Sequence, residues 1–148
     1  MSVLVLFVVV PFTINIFENL FPTKSNVIFL LKEENIKLLD EFEIVRYRKR
    51  FTVFQESFSI KISTNDKKRI INKLTTSYEY KDNVGTMYDI RLEVPRFKNI
   101  DKKYASSYKR DEVYGFQTFK TRSEGYASEW VMIDIPETGN ILYYDKFE

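Results

Sequence analysis

Two stretches of this chain alternate apolar and polar residues one for one, a period that admits little besides a sheet with one dry face. Phe58, Ile60 and Ile62 alternate with Ser57, Ser59 and Lys61, and Tyr88, Ile90, Leu92 and Val94 alternate with Asp89, Arg91 and Glu93. The second run is the clearer, and Pro95 closes it. The first run belongs to a strand expected over 52–62, and further strands are expected over 43–47, 114–120, 129–135 and 141–145. The 43–47 and 52–62 strands pair as a hairpin, and the 129–135 and 141–145 strands do so through the turn Pro136 to Asn140 (PETGN).

Between these strands the period changes. Thr64 or Asn65 is placed to cap a helix beginning at Asp66, on which Ile70, Ile71 and Leu74 make one apolar stripe while Lys67, Lys68, Asn72 and Lys73 face water. Val27 to Leu39 fits a short helix as well as a strand followed by a turn, and is assigned to helix. Lys81 to Gly85 (KDNVG) has turn chemistry, whereas Arg96 to Glu112 is long, polar and basic and reads as a surface loop or short helix. Strands joined by short turns with one good helix interposed predict the α+β class. The expected architecture is a mainly antiparallel sheet with one or two helices packed on one face, preceded by an N-terminal hydrophobic segment.

That segment is unlike the rest of the chain. Val3 to Phe12 is apolar at every position, and the first charged side chain is Glu18. Counting on through Ile14, Ile16, Leu20 and Phe21 approaches the about 20 residues that a spanning helix needs. No basic residue precedes the run and no A-x-A site comes after it, so a retained signal anchor is favoured over a cleaved peptide. The expected organisation is a signal-anchor or signal-peptide-like segment over 1–21, a linker over 22–26 and a single α+β domain over 27–148. A Val-rich run ended by Pro11 also describes a buried core strand. On the anchor reading the protein is membrane-associated with the side undetermined, because Lys24, Lys32 and Lys37 favour a cytoplasmic domain while N-terminal anchors also export the domain behind them. On the strand reading it is cytoplasmic and soluble.

Composition removes much familiar chemistry. The 148 residues include no Cys and no His, which excludes disulfides, thiolate nucleophiles, zinc-thiolate clusters and every triad or metal site built on imidazole. Lys and Arg number 23 against 21 Asp and Glu, and a net charge of +2 does not by itself make a nucleic-acid binder. No calcium or phosphate loop is present, and four glycines supply no glycine-rich cradle. Ser106-Ser107-Tyr108-Lys109 matches S-x-x-K, but the companion motifs of that serine chemistry are missing. Asp89, Glu93, Asp111, Glu112, Glu124, Glu129 and Asp134 are enough acids for a glycosidase-like pair, although charged residues ordinarily lie on the surface.

Two segments interleave cations with aromatics. Arg46, Arg48 and Arg50 share one face of a strand, and Lys102, Lys103, Tyr104, Tyr108, Lys109 and Arg110 cluster in the polar stretch. Such segments suit single-stranded nucleic acid or anionic headgroups, and equally a sheet edge kept soluble by charge. Arg122 and Tyr126, in a Gly-bearing turn before Trp130, are residue types that dominate protein-binding hot spots. The expected function is a membrane-tethered, non-enzymatic protein-interaction domain of inhibitor or immunity type, with another protein as partner and residues 3–21 in the membrane. The candidate surface is Arg46, Arg48, Arg50, Lys102, Lys103, Tyr104, Tyr108, Lys109, Arg110, Arg122 and Tyr126. No catalytic residue, metal ligand or cofactor is assigned, and neither nucleic acid nor a small-molecule substrate is expected. The alternatives are a binder of anionic polymer or lipid through the basic-aromatic segments and a small carboxylate-dependent hydrolase.

Overall fold

The computed structural model describes residues 23–50, 54–77, 79–82, 84–85, 103–121 and 127–148. They belong to two compact units, one ending at Lys37 and the other running from Leu38 to Glu148. The apolar segment over 1–21 and the strand expected over 88–94 lie outside the described residues. Among the described residues, no helix is long and apolar enough to cross a membrane.

In the first unit the helix expected near residue 27 is α1 (Lys24–Glu33). Thr23 caps it, its hydroxyl oxygen accepting from Asn26 N–H at 3.2 Å. Val27, Leu30 and Leu31, spaced as one helical face, are buried. At the other end Asn35 takes a left-handed φ of 58°, and the N–H groups of Asn35 and Ile36 return to the carbonyls of Lys32 and Leu31. That pairing is a Schellman closure, for which asparagine is the usual substitute for glycine.

The second unit is mostly sheet. Its elements are β1 (Glu43–Arg50), β2 (Gln55–Lys61), α2 (Thr64–Thr75), β3 (Tyr80–Lys81), β4 (Lys103–Arg110), β5 (Val113–Thr121), β6 (Ala127–Pro136) and β7 (Ile141–Phe147). The seven strands lie in the order β1-β2-β7-β6-β5-β4-β3, antiparallel except for the parallel pair β3 and β4. With two helices among the described residues, the class is α+β, dominated by an antiparallel sheet. Both expected hairpins are present, β1 with β2 and β6 with β7. The return of β7 against β2 ties the hairpin at the start of the unit to the meander at its end.

The dry face carries Phe58 and Ile60 of β2, Leu142 and Tyr144 of β7, and Val131, Ile133 and Ile135 of β6, all buried. Phe58 and Tyr144 stack with ring centroids 4.5 Å apart. Helix α2 packs against β4 and β5 and contributes buried Ile70 and Leu74. Away from that core the same face is ionic, with Glu129 bridged to Lys120 at 2.7 Å and to Lys146 at 3.1 Å.

Four expectations require correction. Residues 103–110, taken as part of a surface loop or short helix, form β4, with Ser106, Ser107 and Tyr108 buried. Its polar side chains find partners in the interior, Ser107 Oγ donating to Leu74 O at 2.8 Å and Gln117 Nε2 to Ser106 Oγ at 3.1 Å, so burial does not require an apolar pattern there. Helix α2 starts two residues before Asp66, because Ser63 rather than Thr64 or Asn65 caps it and accepts from Asp66 N–H at 2.9 Å. Lys67 is buried instead of facing water, its ammonium donating to the carbonyls of Glu137 and Gly139. Lys81, placed in a turn, is the last residue of the short strand β3, drawn into the sheet by its parallel pairing with Tyr108.

Candidate binding face

Residues paired across neighbouring strands project to the same side of a sheet, so the register displays the face opposite the core row by row. One row runs from β1 to β4 through Arg46, Ser59, Tyr143, Asp134, Gly115 and Tyr108. The next holds Arg48, Ser57, Asp145, Met132, Gln117 and Ser106. A third, richer in aromatics, holds Arg50, Gln55, Phe147, Trp130, Phe119 and Tyr104. Trp130 stacks on Phe119 at 5.1 Å, and its buried indole N–H meets no acceptor among the described residues.

At the β1 end these rows line a groove of about 290 Å³ walled by Arg46, Arg48, Arg50, Ser57, Tyr143 and Asp145. The three arginines are exposed, and among the described residues none is in an ion pair. Guanidinium groups left with open donors bind carboxylate or phosphate in a bidentate fork, and the Ser57, Ser59 and Tyr143 hydroxyls add neutral donors alongside. Burial raises the Asp145 carboxyl above its ordinary value of 3.8, against the pull of a hydrogen bond with Gln55. An acid in the wall of a cationic groove weakens it most for a polyanion of high charge density and favours a more sparsely charged ligand.

Deeper in the sheet Asp134 stands diagonal to Asp145. Burial pushes its carboxyl up, the Tyr108 hydroxyl hydrogen bond and Arg110 pull it down, Asp145 pushes it up again, and the net direction is upward. Tyr108 is itself raised by burial first and then by Asp134.

The two basic segments do not merge. Arg46, Arg48 and Arg50 lie on β1, whereas Tyr104, Tyr108 and Arg110 lie on β4, five strand spacings or about 24 Å away. Lys109 projects to the core side, bridged to Glu137 Oε1 at 2.5 Å with its ammonium 5.2 Å above the Tyr114 ring. Tyr108 is buried, and Lys103 opens β4. Lys102, Arg122 and Tyr126 lie outside the described residues. Gln55, Tyr143 and Asp145 belong to the groove, and the sequence pattern does not single them out. Its one signal is the alternation of Tyr143 and Asp145 with Leu142 and Tyr144 in the last strand. Among the described residues no cluster of acids is arranged to hold a metal ion. The chain matches no family model, no curated protein and no solved structure.

Proposed function

We propose that this protein is a non-enzymatic binding module, tethered to a membrane through residues 3–21, whose arginine-lined groove takes an acidic surface of another protein. The observation that supports it is the row of three exposed guanidiniums on β1, without an ion pair among the described residues and flanked by Ser57, Ser59 and the 45% exposed Tyr143. Arg and Tyr are the residue types that carry protein interfaces, because a planar donor fork and a rigid amphipathic ring lose little entropy on contact. Asp145 in the wall argues against a bare polyphosphate.

The test measures binding of the full chain in mild detergent to poly-glutamate, heparin and anionic vesicles, beside the Arg46→Ser, Arg48→Ser, Arg50→Ser triple variant. Binding to poly-glutamate at least tenfold stronger than to heparin, lost in the variant, is the expected result. Binding the variant shares would refute the assignment. Preference for heparin or vesicles would transfer it to the anionic-polymer reading. Carbonate extraction of the C-terminally tagged chain tests the tether: release into the soluble fraction at full mass removes it.

A second reading, a small carboxylate-dependent hydrolase, draws support from the raised Asp134 and Asp145 on neighbouring strands. Turnover of a glycoside or ester panel that disappears in Asp134→Asn and Asp145→Asn would favour it.

A further inference from the structure

Strand β1 closes one side of the sheet: among the described residues it pairs only with β2. An edge strand turns every second N–H and C=O outward, a template that another extended segment completes. Of its eight residues, Arg46, Arg48, Lys49 and Arg50 are cationic and Glu43 is the one acid, so the edge carries four positive charges against one negative. All but Ile44 and Tyr47 are exposed. A second copy of β1 laid along this edge would oppose arginine to arginine, so the charge pattern refuses self-pairing. It does not refuse an acidic strand. The guanidiniums of Arg46, Arg48 and Arg50 repeat every two residues, about 6.7 Å, which is also the repeat of alternate side chains on an added strand.

We infer that β1 receives an extended acidic segment of a partner protein by strand addition, with Asp or Glu at three alternate positions facing Arg46, Arg48 and Arg50. The register shift between Ile44 and Arg46, which leaves Val45 as a bulge with 57% of its surface exposed, breaks the ladder and limits the added strand to the 46–50 stretch. Main-chain hydrogen bonds would supply sequence-independent affinity and the carboxylate forks the selectivity. The inference rests on the acidic-partner reading above and adds the conformation and spacing of the bound segment.

The test uses the full chain and two capped peptides of equal composition, one alternating Glu and Val, the other with the same residues in two blocks. Fluorescence anisotropy should show the alternating peptide bound at least tenfold tighter, and hydrogen exchange should slow at outward amides within residues 46–50. Substituting all three arginines with serine should remove at least tenfold of that affinity, while lysine substitutions, which keep charge without the fork, should recover part of it. Because these side chains are exposed, circular dichroism melts of the variants should match the parent chain. Equal affinity for the two peptides, arginine-dependent but without amide protection, would overturn strand addition and leave the acidic-partner reading standing. Failure of both peptides to bind, with poly-glutamate binding also insensitive to the arginines, would overturn both.

Discussion

The ring of Tyr108 on β4 lies across the α-carbon of Gly115 on β5, and its hydroxyl donates to Asp134 Oδ1 on β6 at 3.3 Å. Three strands are thereby tied on one face by a single side chain. A Cβ at position 115 would fall inside the van der Waals envelope of the Tyr108 ring, so glycine is required there by space rather than by backbone angle. Gly115→Ala should therefore destabilise the unit by about 1–3 kcal/mol, the usual cost of an overpacked site. Urea unfolding measures it. In a Tyr108→Ala background, where the ring is gone, the same substitution should cost close to nothing, and an undiminished cost there would mean that the clash lies elsewhere.

The half-buried acids on that face give the protein a stability profile of known sign. Asp134 and Asp145 both have folded values raised above 3.8, chiefly by burial, which disfavours the charged form of each. Between the ordinary and the raised value the folded chain binds more protons than the unfolded one, and stability rises as pH falls through that window. Glu129 acts oppositely: burial pushes it up, but hydrogen bonds from Lys120 and Lys146 outweigh that and hold it below 4.5. Its contribution is lost only as pH falls below 4.5 through its folded value. Urea midpoints should rise as pH falls from about 7 to about 4, with the loss from Glu129 opposing that rise only below 4.5. Asp134→Asn should flatten the rise and be the more stable form near neutrality. A flat profile in the parent chain would exclude the assignment.

Much of the sheet is legible in the sequence, and the part that is not has a physical cause. Strands β2, β6 and β7 announce themselves because Phe58 and Ile60 flank Ser59, Ile133 and Ile135 flank Asp134, and Leu142 and Tyr144 alternate with Tyr143 and Asp145. Strand β4 does not, since Ser106 and Ser107 go inside as hydrogen-bonded groups and Tyr108 as a ring spanning a glycine. Hydrophobic periodicity assigns such polar residues to loop. The arginine row at 46, 48 and 50 is visible from the strand period alone, whereas its neighbours Tyr143 and Asp145 come from a strand almost a hundred residues later. Only the pairing of β7 with β2 reveals them.

The start of α2 is held by a buried carboxylate whose loss should be expensive. Asp66 accepts from Leu39 N–H at 3.1 Å and Asp40 N–H at 3.0 Å and is bridged to Arg69, while Ser63 caps the helix and donates to Asp40. Asp66→Asn turns an amide donor toward one of those N–H groups and should cost about 2 kcal/mol, in the range for hydrogen bonds to a charged group. Ser63→Ala should cost about 1 kcal/mol as a lost cap. Thermal unfolding compares them, and a smaller loss for the aspartate change than for the cap would contradict this arrangement.

Lys67, one residue on, fastens the helix to the last hairpin. Its ammonium donates to Glu137 O at 2.6 Å and Gly139 O at 2.5 Å, two carbonyls of the turn in which Gly139 takes a left-handed φ of 73°. Nearby, Asn140 Nδ2 donates to Thr64 Oγ1 and Ile62 N–H to Asn140 O. A lysine stem buried along the helix with its charge satisfied by backbone oxygens is a clamp between elements some 70 residues apart. Lys67→Met keeps the stem and removes the donors, so packing is retained while two carbonyls lose their partner. The expected cost is about 1–3 kcal/mol. The distinguishing readout is local: native-state hydrogen exchange should accelerate at Ile62, whose N–H bonds to the carbonyl of Asn140 at the end of the turn, more than at Ile133 in the sheet centre. Uniform acceleration across both would assign Lys67 to global stability and not to the clamp.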